Sequence, residues 1–138
     1  MRKYPSVGSL TRRTAHDYEV PGTKFVLKRN LNVVIPTYAI QNDPEIFPDP
    51  DKFDPERFSV ENSKNRHSAA FLAFGDGPRN CVGLRFGMMQ VRVGLATVLR
   101  SFRIETCSRT PDPVILRKDS FTLSPQGGMW LTFKSVSK

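Results

Sequence analysis

Residues 74–83 read FGDGPRNCVG: a single cysteine, Cys81, framed by Phe74, three glycines, Pro78 and Arg79. The text that follows, LRFGMMQVRVGLATVLRSF, has helical character, so the cysteine falls at the mouth of a helix predicted over about Val82 to Phe102. At such a mouth the first backbone N–H groups lack intrahelical partners and the positive end of the helix dipole favours an anion. A sulfur placed there is drawn toward its thiolate form. The preceding glycines allow tight turns and let the backbone approach a ligand closely. Arg79, two residues before the cysteine, adds a fixed cation suited to a carboxylate or phosphate. This is a ligand site in outline. A buried, inert cysteine in a glycine-rich turn is the plainer alternative. A phosphate cradle is less favoured, since no Lys-Ser/Thr pair follows the loop.

Along the predicted helix, Leu84, Gly87, Val91, Gly94, Leu95, Val98 and Phe102 share one face at amphipathic spacing, while Arg85 and Arg92, a heptad apart, lie on the other. The first face reads as core, the second as a basic surface. Gly87 and Gly94 each cost about 1 kcal/mol relative to alanine inside a helix, which predicts a close neighbour there, either a backbone or a flat cofactor. Upstream, DYEV, the turn Pro21-Gly22, TKFVL and LNVVI predict a hairpin plus one more strand. From Asp43 to Arg57 the text DPEIFPDPDKFDPER denies helix and central strand alike, because proline lacks the amide donor and restricts its predecessor. An ordered coil is expected there, packed through Phe47, Phe53 and Phe58. Downstream of the helix, short strands surround turns, with Pro125-Gln126-Gly127-Gly128 the expected hairpin tip.

Composition sets the outer limits. The chain has 138 residues, 38% hydrophobic and 25% charged, about the size and balance of one ordinary globular domain. No apolar run approaches the roughly 20 residues needed to cross a bilayer, and MRKYPS is not followed by the apolar stretch of a secretory signal. Cys81 and Cys107 are expected as free thiols. The net charge of +8 is spread over scattered Lys and Arg without a nucleic-acid-binding signature, so no nucleic-acid partner is expected and a solvated surface suffices.

At each of its fixed positions, Phe74-x-x-Gly77-x-Arg79-x-Cys81-x-Gly83 matches the haem-binding signature of the cytochrome P-450 family. DPERF, Asp54 to Phe58, resembles the family's meander motif, and RKYPS, Arg2 to Ser6, resembles the end of its Glu-x-x-Arg helix. The resemblance covers essentially the whole chain in the family's order. AFLAFGDGPRNCVGLRFGMM and SFTLSPQGGMW look most like the microsomal xenobiotic-metabolising branch, and an insect member within it.

The resemblance implies an α+β piece, residues 1–138, from the C-terminal part of a fold that is mainly alpha in the intact enzyme. Its expected parts are the end of one helix, short strands, the meander coil, the cysteine loop, the long helix and a C-terminal hairpin. It implies haem b, iron protoporphyrin IX, with Cys81 as the axial iron ligand and the catalytic residue, its sulfur tuning iron toward cleavage of dioxygen. Phe74 would shield the sulfur, Gly77 and Gly83 would give room for the loop, and Arg79 and Arg12 would bind the haem propionates. Arg2 and Arg57 match two members of a buried charge network. Its glutamate belongs three residues before Arg2, so the pattern expects further chain upstream of Met1, including the central helix, the distal haem wall and an N-terminal anchor.

Substrate contacts are implied at Val7 and Phe121, for a lipophilic small molecule. Docking of an acidic NADPH-dependent flavoprotein reductase, with cytochrome b5 as a second donor, is implied at Arg85, Arg92 and Lys52. The implied location is the cytosolic face of the endoplasmic reticulum membrane. The expected function is monooxygenation, with this piece inactive alone. Two other readings stand beside it: a haem-thiolate isomerase or dehydratase that uses no dioxygen, and a non-enzymatic, truncated basic binding module.

Overall fold

The computed structural model describes residues 1–64 and 66–136. The chain forms two compact units, Met1–Gly75 and Asp76–Lys138, each taken here by itself.

In the first unit, β1 (Leu10–Arg13) pairs antiparallel with β4 (Asn32–Ile35), with Leu10 opposite Ile35 and Arg12 opposite Val33. Burial alternates along both strands, so Leu10, Arg12, Val33 and Ile35 occupy the half-buried positions. This is the period-two pattern of a sheet with one covered face. Between them β2 (Tyr18–Glu19) and β3 (Val26–Leu27) form the expected hairpin, turned at Gly22 with φ +73°. The additional strand predicted from LNVVI is β4.

The chain then makes a helix that the sequence pattern did not announce. α1 (Thr37–Asn42) is six residues long and places Thr37 and Gln41, one turn apart, in full burial. It stops at Asp43, which is extended because Pro44 follows. From there to Arg57 the coil is ordered as expected: Asp43 accepts from the Glu45 amide at 2.9 Å, and Asp54 caps a 3-10 turn, Pro55–Phe58, by accepting from the Glu56 amide. Of its three phenylalanines only Phe47 is truly interior, at 1% exposure. Phe58 meets Phe71 edge-on at 5.2 Å, whereas Phe53, at 92% exposure, packs on no described residue enough to be covered. A short helix, α2 (Val60–Ser63), and a 3-10 turn, Ser68–Ala70, lead to the buried Leu72.

The interior of this unit is more polar than its size suggests. Gln41 donates to the carbonyls of Arg2 at 2.7 Å and Met1 at 3.3 Å, and accepts from the Leu72 amide at 2.7 Å. Residues 1–6 are irregular and not helical. The carbonyls of Met1 and Arg2 accept from the Gln41 side chain and not from the backbone amides of a helical turn.

In the second unit, α3 (Leu84–Ser101) runs 18 residues, within two of the predicted bounds at each end, and passes directly into β5 (Phe102–Thr106). β5 pairs antiparallel with β6 (Leu131–Ser135), Ile104 opposite Phe133, and Phe102 meets Phe133 edge-on at 6.0 Å. The expected tip at Pro125–Gly128 is displaced. Bonds from the Arg117 amide to Ser124 and from the Gln126 amide to Ile115 flank a bridge between Leu116 and Pro125. Pro125 therefore sits inside the pairing, where its neighbours donate in its place. Gly127 and Gly128, both with positive φ, turn the chain on toward β6.

The apolar face of α3 has the predicted helical period, but no residue of α3 is buried. Leu95 is 54% exposed, and no described atom comes within 4 Å of a Cβ built at Gly94. Replacing Gln41 by Leu would leave the Arg2 carbonyl and the Leu72 amide unpaired in a buried setting, a cost of about 2–5 kcal/mol. Chemical denaturation of the intact protein should show that loss as a lowered midpoint.

Candidate cofactor-ligand site

The loop around Cys81 is built by its glycines and one aspartate. Gly75 and Gly77 both have φ +72°, in the left-handed region where a side chain is strained. Gly77 needs this freedom on conformational grounds alone, since a Cβ there would meet nothing within 4 Å. Asp76 accepts from the Gly77 amide at 2.8 Å and starts a 3-10 turn, Gly77–Arg79, which closes with the Asn80 amide on the Gly77 carbonyl. Cys81 comes next, and its carbonyl accepts from the Leu84 amide at 3.2 Å, so the cysteine stands three residues before α3, as predicted. A Cβ at Gly83 would lie 3.9 Å from the Cys81 sulfur, an ordinary contact, so the protein alone does not demand glycine there.

Both cysteines are free thiols, and their settings differ. Cys107 is half-buried behind β5. The Thr110 hydroxyl lies 3.5 Å from its sulfur, and this hydrogen bond first, then the Arg109 amide, hold the thiol below its ordinary range. Cys81 is exposed. Of the two, Cys81 is the one presented for ligation.

The structure gathers Gly77, Arg79, Cys81 and Gly83 on this single loop of the second unit. Arg79 is exposed and has no hydrogen bond or ion pair among the described residues. Phe74 and Arg12 belong to the first unit, and both are half-buried. Arg12 donates to its neighbour Thr11 at 3.0 Å and keeps a covered strand position that a charged side chain rarely takes without a partner.

Arg2 and Arg57 are brought together more closely than their sequence separation suggests. Arg2 donates to the Gln41 carbonyl at 2.7 Å and to the Pro50 carbonyl. Arg57 donates to the carbonyls of Pro48 and Asp49. Both guanidinium groups therefore grip one stretch, residues 48–50. Burial first, then the Arg57 charge, lower the Arg2 pKa, and Asp51 opposes this. Among the described residues the buried Arg57 Nε has no hydrogen-bond partner; the Asp54 carboxylate stands 3.9 Å away. Arg2, Lys52, Phe53, Asp54 and Arg57 line a cavity of about 430 Å³ beside it.

The remaining predicted positions are scattered. Val7 is half-buried in the first unit, and Phe121 is 84% exposed in the second. Arg85 and Arg92 are both exposed, and the depression they line, of about 550 Å³, also takes in Leu84, Met88, Met89 and Val93. That face of α3 is basic and apolar together rather than purely basic. Sequence reasoning missed Gln41 and Arg66. Gln41 carried no local signal beyond its place four residues after Thr37, and Arg66 read as one more scattered cation.

Residues 1–132 match the family model described as Cytochrome P450. The chain belongs to the cytochrome P450 family. It is 50% identical over 141 aligned residues to Cytochrome P450 6A1 of Musca domestica, covering 100% of this chain and 28% of that protein. It is 49% identical over 137 residues to Cytochrome P450 6a8 of Drosophila melanogaster, covering 99% of this chain and 27% of that protein. Cytochrome P450 6k1 of Blattella germanica is 42% identical over 96% of this chain and 25% of its own length. The insect branch read from the sequence agrees with these P450 relatives. The chain spans about a quarter of their length.

The P450 family implies haem with cysteine-ligated iron, and the donor set here fits that group. Among the described residues no three of His, Cys, Asp or Glu converge on a metal position. One exposed sulfur cannot hold an iron ion by itself, but it suffices as the axial ligand of a macrocycle that already supplies four donors.

Beside the arginine cavity, Lys3 pairs with Asp51 at 2.8 Å. The Lys3 hydrogen bond, then the Lys3 charge, hold Asp51 below the ordinary carboxylate range, and the same bond raises Lys3. The stability from Asp51 is thus present above its unfolded pKa and lost as pH falls through the lowered folded value. That from Lys3 is present below its unfolded pKa and lost as pH rises through the raised one. The gap in urea midpoint between wild type and Asp51→Asn should therefore be steady near neutrality and close as pH drops below about 4.

Proposed function

We propose that this chain is the haem-binding C-terminal part of a monooxygenase that oxidises a lipophilic small molecule with dioxygen and reductase-supplied electrons, and that it is inactive as an isolated piece. The observation that carries the reading is Cys81: an exposed free thiol on a loop with left-handed glycines, three residues before an 18-residue helix. Haem b, when bound, supplies the iron at which dioxygen is activated.

The residues of the chain then have separate tasks. Cys81 donates its sulfur, and Gly77 holds the loop that presents it. Gly83 keeps the next turn small, and Phe74 is the signature aromatic whose task in the intact enzyme is to shield the sulfur. Arg79, without a partner among the described residues, and Arg12, held at a half-buried strand position, take the propionates, whose carboxylates suit planar guanidinium donors. Arg2 and Arg57 hold the meander, and the Arg57 Nε, unpartnered among the described residues, suits a carboxylate of the intact protein. Val7 and Phe121 contact substrate. Arg85, Arg92 and Lys52 face an acidic NADPH-dependent flavoprotein reductase or cytochrome b5, where complementary charge mainly speeds encounter. The intact enzyme sits on the cytosolic face of the endoplasmic reticulum membrane through an N-terminal anchor.

The test is Cys81→Ser in the intact enzyme. Reduced wild-type protein under carbon monoxide should show the far-red-shifted Soret band of thiolate ligation, and the variant should lose it with monooxygenase turnover. A variant that keeps the band would remove Cys81 from its role.

A further inference from the structure

Arg66 lies outside every motif discussed above, yet it makes three contacts at the meander. Its guanidinium carbon stands 4.8 Å from the centre of the Phe47 ring and 5.2 Å from that of Phe58, and it donates to the Arg57 carbonyl. Phe47 is the largest fully buried side chain among the described residues and also carries Arg2, at 5.3 Å. Phe58 in turn holds Phe71 edge-on, and the Leu72 amide one residue later is bound by Gln41. The segment from Arg66 to Leu72 is therefore tied to the meander at its start by Arg66 and near its end by Phe71, and to α1 by the Leu72 amide. It is also the stem from which the chain runs on through Phe74 to Cys81.

We propose that Arg66 is a positioning residue for the cysteine loop: by stacking on Phe47 and Phe58 and binding the Arg57 carbonyl, it fixes the stem so that Cys81 stays on iron. The inference rests on the haem-ligand reading of Cys81. Arginine suits the role because its planar, weakly hydrated guanidinium can lie against an aromatic ring while its edge donates a hydrogen bond. A lysine keeps the charge and loses that geometry. Asp51 and Asp54, the acidic groups of this cluster, are engaged by Lys3 and placed near Arg57, so among the described residues neither pairs with Arg66.

The experiment uses the intact, haem-loaded enzyme and follows, at a fixed elevated temperature, the conversion of the far-red carbon monoxide band to the band of haem that has lost its thiolate, with total haem measured in parallel. Arg66→Ala should lose the thiolate band about tenfold faster than wild type while haem content is still retained. Arg66→Lys should resemble Ala, and Arg117→Ala, which removes an exposed cation paired with Asp119, should match wild type. Decay of Arg66→Ala at the wild-type rate, full rescue by lysine, or equal acceleration by Arg117→Ala would each overturn the proposal. If the alanine variant yields no haem protein, Arg66→Lys against wild type decides it alone. A wild-type protein without the far-red band would overturn the reading of Cys81 instead.

Discussion

The first unit depends on the burial of one amide side chain. Gln41 is fully buried and uses both ends: its NH₂ holds the carbonyls of Met1 and Arg2, and its oxygen holds the amide of Leu72. Three segments far apart in sequence meet there, the first residues, α1 and the stem of the cysteine loop. A polar group placed so deeply costs several kcal/mol if unpaired. That cost selects one arrangement of these segments, in which every partner is present. The hydrophobic interior around it is small, chiefly Phe47, Ala70 and Leu72, so hydrogen bonds and arginine stacking carry the specificity that packing supplies in larger cores.

The arginines extend the same logic. Arg2, Arg57 and Arg66 surround Phe47 and residues 48–50, and burial first, then the charges of Arg57 and Arg66, lower the Arg2 pKa. Carbonyl oxygens accept from each of the three, and those of residues 48–50 are free to do so because this proline-rich coil has neither helix nor sheet. The meander is thus ordered by the side chains that cross it. In the second unit the ordering is local: glycines with positive φ and the Asp76 cap shape the loop, and α3 begins three residues after the sulfur it presents.

The cysteine site was readable in the sequence because its residue types are each required by backbone geometry or ligand chemistry: glycine at positive φ, a cysteine before a helix, an arginine beside it. The strands were readable from β-branched runs bounded by turn residues, and α3 from its period. Other features depended on distant partners and left no local trace. α1 is too short for a period, and only Asp43-Pro44 marks where it stops. Phe47 and Phe53 stand in nearly identical text, yet one is buried and the other bare, since the deciding contacts come from Arg2 and Arg66. The face of α3 has the period of a buried helix, but period reports what a helix is suited to cover and not which chain covers it. Pro125 was read as a tip because proline punctuates turns; its neighbours' hydrogen bonds place it within a pairing instead.

The claim that the stem of the ligand loop is fixed by this buried polar knot is tested most directly by hydrogen exchange at the Leu72 amide in the intact protein. A bond of 2.7 Å to a fully buried acceptor should make this amide exchange among the slowest outside helices and sheets. Exchange as fast as that of the exposed Phe53 amide would contradict the account.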